Sequence, residues 1–85
     1  MRHRLIGIPD PEPPTYAWHI QRIYEDAKGP RIVQWCGRDT GWAFTGGGVL
    51  KPKAYASRGL ARNALTAILG HERALGLRNR LNEQY

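Results

Sequence analysis

Apolar and polar residues alternate over the first half of the chain and change to a helical spacing over the last third. Residues 16–24 carry aromatic and β-branched side chains mainly on one face, which predicts a β-strand. Residues 31–36 read as a returning strand after the turn-forming residues 26–29, so a hairpin is expected. Residues 41–45 predict a short third strand, which completes an antiparallel meander.

The last third predicts an amphipathic α-helix that begins after Ser57, whose hydroxyl can cap the first turn. On a wheel of about 100° per residue, Leu65 and Leu69 flank or join an otherwise polar arc. That arc holds four arginines: Arg58, Arg62, Arg73 and Arg80. Gly70 and Gly76 each weaken a helix by about 1 kcal/mol relative to Ala. A bend or break near Gly70 is therefore the alternative to one long helix.

Four prolines between residues 9 and 14 predict an extended link that lacks backbone donors. Residues 1–14 are accordingly interpreted as a basic, then proline-rich, N-terminal arm, unless Leu5, Ile6 and Ile8 dock as an edge strand. Residues 15–85 are expected to form a single small ββ(β)α domain, with residues 49–51 as a fourth short strand or a connector.

The predicted fold class is therefore α+β. It has a three-stranded antiparallel β-meander packed on one long C-terminal α-helix, kinked or continuous, in two layers.

The length and the net charge of the chain limit the classes of function that it can have. Eighty-five residues suffice for one small domain and leave no room for separate cofactor and substrate domains. The net charge of +6 excludes an acidic mimic of nucleic acid and favours anionic partners. Residues 51–85 hold seven Lys and Arg against two Glu, so +5 of the charge belongs to this part.

Cys36 is the only cysteine, so no intramolecular disulfide can form. No apolar run is long enough to span a bilayer, and the apolar stretch near the N-terminus is too short for a signal peptide. The sequence predicts a cytoplasmic protein without a membrane partner.

The sequence gives little support for a catalytic site or a metal-binding site. The residues that could bind zinc do not share the paired local spacings that zinc sites use: His3, His19, His71 and Cys36. Ser57, the only serine, is explained as a helix cap. The glycines before Lys51 lack the rest of a phosphate-loop motif, and a hinge explains them more simply. We expect no enzyme activity, no cofactor and no metal.

The leading hypothesis is a non-enzymatic basic module that binds DNA or RNA through its C-terminal helix and lysine-flanked glycine-rich loop. Phosphate contacts of this kind set affinity and its dependence on salt. The expected contact residues are Lys51, Lys53, Arg58, Arg62, Arg73 and Arg80, with Arg2 and Arg4 as auxiliary contacts.

The alternative hypothesis is an inhibitor or adaptor that binds a host protein complex through its aromatic sheet and helix, since Trp and Arg are common interface anchors. Its contact residues would be Trp35, Trp42, Arg22 and Arg31. A weaker alternative is a homo-oligomer that binds an anionic nucleotide. A basic helix can also be only a solvated face.

The element order over residues 16–75, with strand residues Trp18, Arg22, Arg31, Trp35 and Trp42, resembles small DNA-binding domains of the AP2 type and the integrase arm-binding type. That resemblance implies a sheet lying in the major groove. The chain is also similar in style to small phage or mobile-element proteins, many of which bind and block a host machine.

Overall fold

The structure, a computed structural model, describes the backbone of residues 1–9 and 16–83 and the side chains of residues 1–9 and 17–76. Within these residues the strands form one antiparallel sheet in the order β1-β2-β3-β4, and one helix follows. The elements are β1 (Arg2–Pro9), β2 (Tyr16–Tyr24), β3 (Arg31–Trp35), β4 (Trp42–Ala43) and α1 (Arg58–Glu83). The predicted α+β class and the antiparallel sheet are confirmed.

The predicted number of three strands is wrong, because the N-terminal residues form a fourth. β1 pairs with β2 along its whole length, with Leu5 opposite Ile20 and Gly7 opposite Trp18. A Cβ atom at position 7 would lie 3.0 Å from the Trp18 ring, so the ring packs directly over the glycine. Of the predicted proline-rich link over residues 9–14, Pro9 ends β1, and the rest lies outside the described residues, so a domain boundary after residue 14 stays a prediction.

The β2–β3 hairpin is confirmed, and β4 is shorter than the predicted third strand. Residues 49–51 form bends and connections, not a strand. The chain rejoins the sheet a few residues later, where Trp18 and Tyr55 exchange two backbone hydrogen bonds of 2.9 Å. The Lys53 amide also donates to the Trp35 carbonyl at 2.8 Å. Residues 53–55 therefore lie beside β2 in the space that β3 leaves when it ends.

α1 is one helix of 26 residues that runs through Gly70 without interruption. The Ser57 hydroxyl accepts from the Leu60 amide at 3.2 Å, which confirms the predicted cap. α1 contacts β2 and β1. Its least exposed side chains recur at helical spacing: Ala61, Ala64, Leu65, Ile68, Leu69 and Glu72. Leu65 and Leu69 thus belong to the packing face, because the sheet contacts a stripe centred between the predicted apolar side and the arginine arc.

The core is small. Among the described side chains, the buried apolar ones are Ile20, Ile23 and Ala61, and Arg22 is the buried charged one, with 7% of its surface exposed. Alternation along a strand places Ile20 and Arg22 on the face towards α1 and their odd-numbered neighbours on the other. Over the part of the chain that the structure describes, no helix is long and apolar enough to cross a membrane.

Candidate nucleic-acid interface

The sheet and helix are joined by four side chains, here called the junction cluster: His3, Arg22, Trp42 and Glu72. The Arg22 guanidinium donates from Nη2 to Glu72 Oε2 at 2.5 Å and from Nε to His3 Nε2 at 2.8 Å. The Trp42 indole donates to the other Glu72 oxygen at 2.7 Å, and the Arg22 Cζ lies 4.1 Å from the centre of a Trp42 ring. One helix carboxylate therefore binds groups from two strands.

These contacts shift the pKa values of two groups in the junction cluster, Glu72 and His3. Burial alone would raise the pKa of Glu72, but the hydrogen bonds from Arg22 and Trp42 and the charge of Arg22 together hold it below its usual value. Burial, followed by the charge of Arg22, lowers the pKa of His3, and the charge of Glu72 opposes this only in part. A neutral His3 is what the geometry needs, because its Nε2 accepts a hydrogen bond from Arg22.

The junction cluster corrects the expected protein-binding surface. Arg22 is buried, hydrogen-bonded to Glu72 and His3 and stacked on Trp42, which is itself half-buried against Arg22 and Trp35. Arg22 therefore cannot reach a partner, because it holds the helix to the sheet. Arg31 is exposed and lies beside Asp26, with 3.5 Å between Nε and Oδ2, over the ring of Tyr24. The sheet face away from α1 carries His19 and Gln34 together with Arg2 and Arg4, and none of the predicted contact residues Arg22, Arg31, Trp35 and Trp42.

An open groove lies between α1 and the end of β3, and its lining is aromatic, aliphatic and cationic. It consists of two adjoining cavities of about 550 and 590 Å³ that share Trp35, Arg38 and Ile68. The residues that define this aromatic–cationic groove are Trp35, Arg38, Lys53, Tyr55, Ile68 and His71. Each cavity by itself falls within the size range of ligand-binding clefts.

A turn that is closed by backbone hydrogen bonds places Arg38 at the groove. The Gly41 amide donates to the Gly37 carbonyl at 2.7 Å, and the Cys36 amide donates to the Gly41 carbonyl at 2.9 Å. Gly37 and Gly41 have φ angles of 107° and 74°, in the left-handed region that glycine adopts without strain. The two glycines fix the ends of the turn and leave Arg38 exposed at its tip.

Lys53 and Tyr55 also line the groove, on the segment that pairs with β2. The Lys53 ammonium lies 5.9 Å from the centre of the Tyr55 ring, and a Cβ atom at Gly37 would lie 4.0 Å from the Lys53 side chain. The lysine stem thus runs beside the turn that bears Arg38. Burial raises the pKa of Tyr55, and a polar contact with the Trp35 side chain opposes the rise. The half-buried phenol stays neutral near pH 7.

The helix arginines lie on the other flank of α1. On the wheel, the groove-lining helix residues span roughly 180–320° from Arg58, whereas Arg62 and Arg73 lie at about 40° and 60°. All three arginines are exposed. We call them the arginine flank: Arg58, Arg62 and Arg73. Arg80 lies outside the described side chains.

The remaining predicted contact residues are not gathered in one place. Lys51 is exposed and does not line the groove, and neither do the three preceding glycines. Arg2 lies 3.3 Å from a Glu25 oxygen, and Arg4 donates to Gln21 at 2.7 Å. Both arginines alternate with His3 and so face away from α1. Of the seven expected cationic contacts whose side chains the structure describes, Lys53 alone lines the groove, and three form the arginine flank.

Sequence reasoning did not assign a binding role to Arg38, Tyr55 or His71. Two signals were available. Glycines on both sides of a short turn mark Arg38 as held at a fixed tip, and the alternation of Lys53 with Tyr55 places both side chains on one face of an extended segment. What the sequence could not supply is the pairing of Tyr55 with Trp18, which connects residues 37 positions apart.

The Cys36 thiol donates to the Gln34 carbonyl at 3.5 Å, and burial raises its pKa, which keeps it protonated. No three His, Cys, Asp or Glu side chains gather into a metal-binding group among the described residues. Searches against models of protein families, curated proteins and solved structures found no match.

Proposed function

We propose that this protein is a non-enzymatic nucleic-acid-binding module. It binds phosphates through the arginine flank, Lys51 and Lys53, with the helix and the lysine-bearing segment as its contact surfaces. These positions retain the leading interpretation of the sequence, except that Arg2 and Arg4 lie on another face.

The observation that carries the proposal is how the carboxylates are distributed. Within the described residues, every ion pair joins an acid to an arginine of the first half of the chain: Arg2 with Glu25, Arg22 with Glu72, and Arg31 with Asp26. The described cations of the second half have no such partner among the described side chains, and neither do Arg4, Lys28 and Arg38 of the first half. Exposed, unneutralised cations on one part of a small domain attract a polyanion and release its counterions on binding.

The test is a titration with labelled duplex and single-stranded DNA of about 15 nucleotides, a length that covers typical site sizes. About five phosphate contacts predict that affinity falls roughly 10²- to 10³-fold between about 50 and 200 mM salt. A flat response to salt, or no binding at the lowest salt, would reject the proposal. Fluorescence anisotropy supplies the measurement.

A protein partner is the second candidate, favoured by a specific observation. Phe44 and Val49 are 73% and 90% exposed, and Leu50 is exposed beside them. Apolar side chains grouped on one loop are typical of protein contacts. A host complex retained on the immobilised protein, and lost with Phe44→Ser and Val49→Ser, would favour this candidate.

Three further expectations about the architecture, location and oligomeric state accompany the proposal. The proposal treats α1 and the sheet as two packed layers and the protein as cytoplasmic. A homo-oligomer that binds a free anionic nucleotide is the remaining alternative. A mass measurement in solution, with and without nucleotide, separates that alternative from a monomer that binds a polymer.

A further inference from the structure

We propose that the aromatic–cationic groove is a site for an unpaired nucleotide, so that this protein prefers single-stranded over duplex nucleic acid. The inference rests on the proposed function and deepens it. It assigns the groove, which sequence reasoning left without a role, to a base and its adjacent phosphates.

The groove offers both kinds of contact that a nucleotide needs. Trp35 and Tyr55 supply aromatic surfaces, and Ile68 supplies an aliphatic one. Bases of any sequence bind such surfaces by stacking. Arg38 and Lys53 are exposed at the mouth, where their charges complement the phosphates on either side of a base held in the groove.

The floor of the groove is built before any ligand arrives. Backbone hydrogen bonds tie Lys53 to Trp35 and Tyr55 to Trp18, and Trp35 packs edge-on against Trp42 with ring centres 5.4 Å apart. Trp42 in turn belongs to the junction cluster. An aromatic surface that is already ordered loses little conformational entropy when a base stacks on it.

The shape of the site selects the strand type. The groove is a cleft between a helix and a tight turn. A base within a duplex is stacked on both faces and paired along one edge, so it cannot enter this cleft without leaving the double helix. Extruding such a base costs a few kcal/mol, whereas an unpaired base enters without that cost. A duplex can therefore bind the exposed cations outside the groove, such as the arginine flank, but cannot place a base in the groove.

Two carboxylates line the groove, and one of them, Asp39, sharpens the test. Asp39 follows Arg38 in the turn, lines the same cavity and is exposed. Its charge opposes phosphate binding at the mouth. Glu72 also lines the groove, but its charge is compensated by Arg22.

The experiment compares three labelled ligands of equal length at one low salt concentration: single-stranded oligo-dT, an abasic strand with the same phosphates, and a duplex. The structure predicts that oligo-dT binds at least about fivefold more tightly than the abasic strand, since stacking on one base supplies at least that factor. Tyr55→Leu, which retains an apolar side chain, should bring this ratio towards one. Arg62→Ala, the matched control on the other flank, should weaken both single strands alike and leave the ratio unchanged.

Two exposed substitutions keep the test independent of folding. Asp39→Asn should tighten oligo-dT binding about two- to fivefold, and Arg38→Gln should weaken it by a similar factor, as expected for one exposed charge. Neither should change duplex affinity. Circular dichroism confirms that each variant is folded.

The outcomes separate the two proposals. Salt-dependent binding of all three ligands with equal affinity, or a base preference that Tyr55→Leu leaves intact in a folded protein, overturns the groove assignment and leaves the nucleic-acid proposal standing. No binding of any ligand at low salt overturns both.

Discussion

Arginine side chains have different roles in two regions of this protein, the junction cluster and the arginine flank. In the junction cluster, Arg22 is buried and all its contacts are to other residues of the chain. In the arginine flank, Arg62 and Arg73 are exposed and make no ion pair with a described residue. The same side chain therefore stabilises the fold in one region and is available to a partner in the other. Position relative to a carboxylate, and not residue type, decides the role.

The largest expected effect on stability comes from a substitution that breaks the junction cluster. Glu72→Gln removes the charge that binds Arg22 and leaves a buried guanidinium without its counterion, which should lower the free energy of unfolding by about 3 kcal/mol. Urea unfolding followed by tryptophan fluorescence measures the change.

Glu25→Gln is the matched control, because the Arg2–Glu25 pair is 70% and 62% exposed. An exposed pair contributes little, so the change should stay within about 0.5 kcal/mol. Equal effects of the two substitutions would show that burial does not distinguish the pairs.

The next effect is on binding. Reversing two charges of the arginine flank, Arg62→Glu with Arg73→Glu, should weaken duplex binding by about 100-fold at low salt, because two attractive phosphate contacts become repulsive. Stability should change little, since both side chains are exposed. Anisotropy and urea unfolding on the same samples check the two halves of this prediction, and a large loss of stability would contradict it.

The sequence predicted well what depends on local pattern. The β2–β3 hairpin, the Ser57 cap and the helix through the last third follow from turn residues, capping chemistry and apolar spacing. The pairing of β1 with β2 could not be deduced, because a proline segment between two strands does not say whether they meet. The bonds from Glu72 to Arg22 and Trp42 depend on three separate elements, so no local pattern contains them.

The same limit applies to the candidate site. Composition identified the basic half of the chain, and wheel geometry placed the exposed arginines together. The groove lined by Arg38, Lys53 and Tyr55 is made by long-range pairing, which brings a turn and an extended segment together beside α1.

A smaller effect tests whether β1 is part of the sheet. Gly7→Ala brings a methyl group to 3.0 Å from the Trp18 ring and should cost about 1–2 kcal/mol of stability through overpacking. Gly47→Ala is the control, since nothing lies within 4 Å of its added methyl group and its φ is not in the left-handed region. Thermal unfolding compares them, and equal melting temperatures would mean that β1 does not pack against Trp18.

The smallest effect is a dependence on pH. The pKa of His3 is lowered by folding, so the unfolded chain, with a His pKa near about 6.5, binds the proton more readily. Stability is thus full above about pH 6.5 and falls as the pH drops towards the folded pKa of His3. His19 contributes in the same direction, because burial lowers its pKa too.

His3→Gln isolates the His3 contribution, because the amide oxygen can accept from Arg22 but does not titrate. The decline in stability between about pH 6.5 and 5, where Glu72 stays ionised, should become shallower in this variant. An unchanged slope would exclude His3 as a source of the pH dependence.

The most direct test of the central claim compares salt dependence in two triple variants. One removes the arginine flank (Arg58, Arg62 and Arg73 to Ala), and the other removes three residues outside it (Arg2, Arg4 and Arg31 to Ala). Each lost phosphate contact should reduce the slope of log affinity against log salt by about 0.9. The account predicts a slope smaller by about 2 to 3 for the first variant and nearly unchanged for the second. Equal slopes in both variants and the parent protein would contradict it.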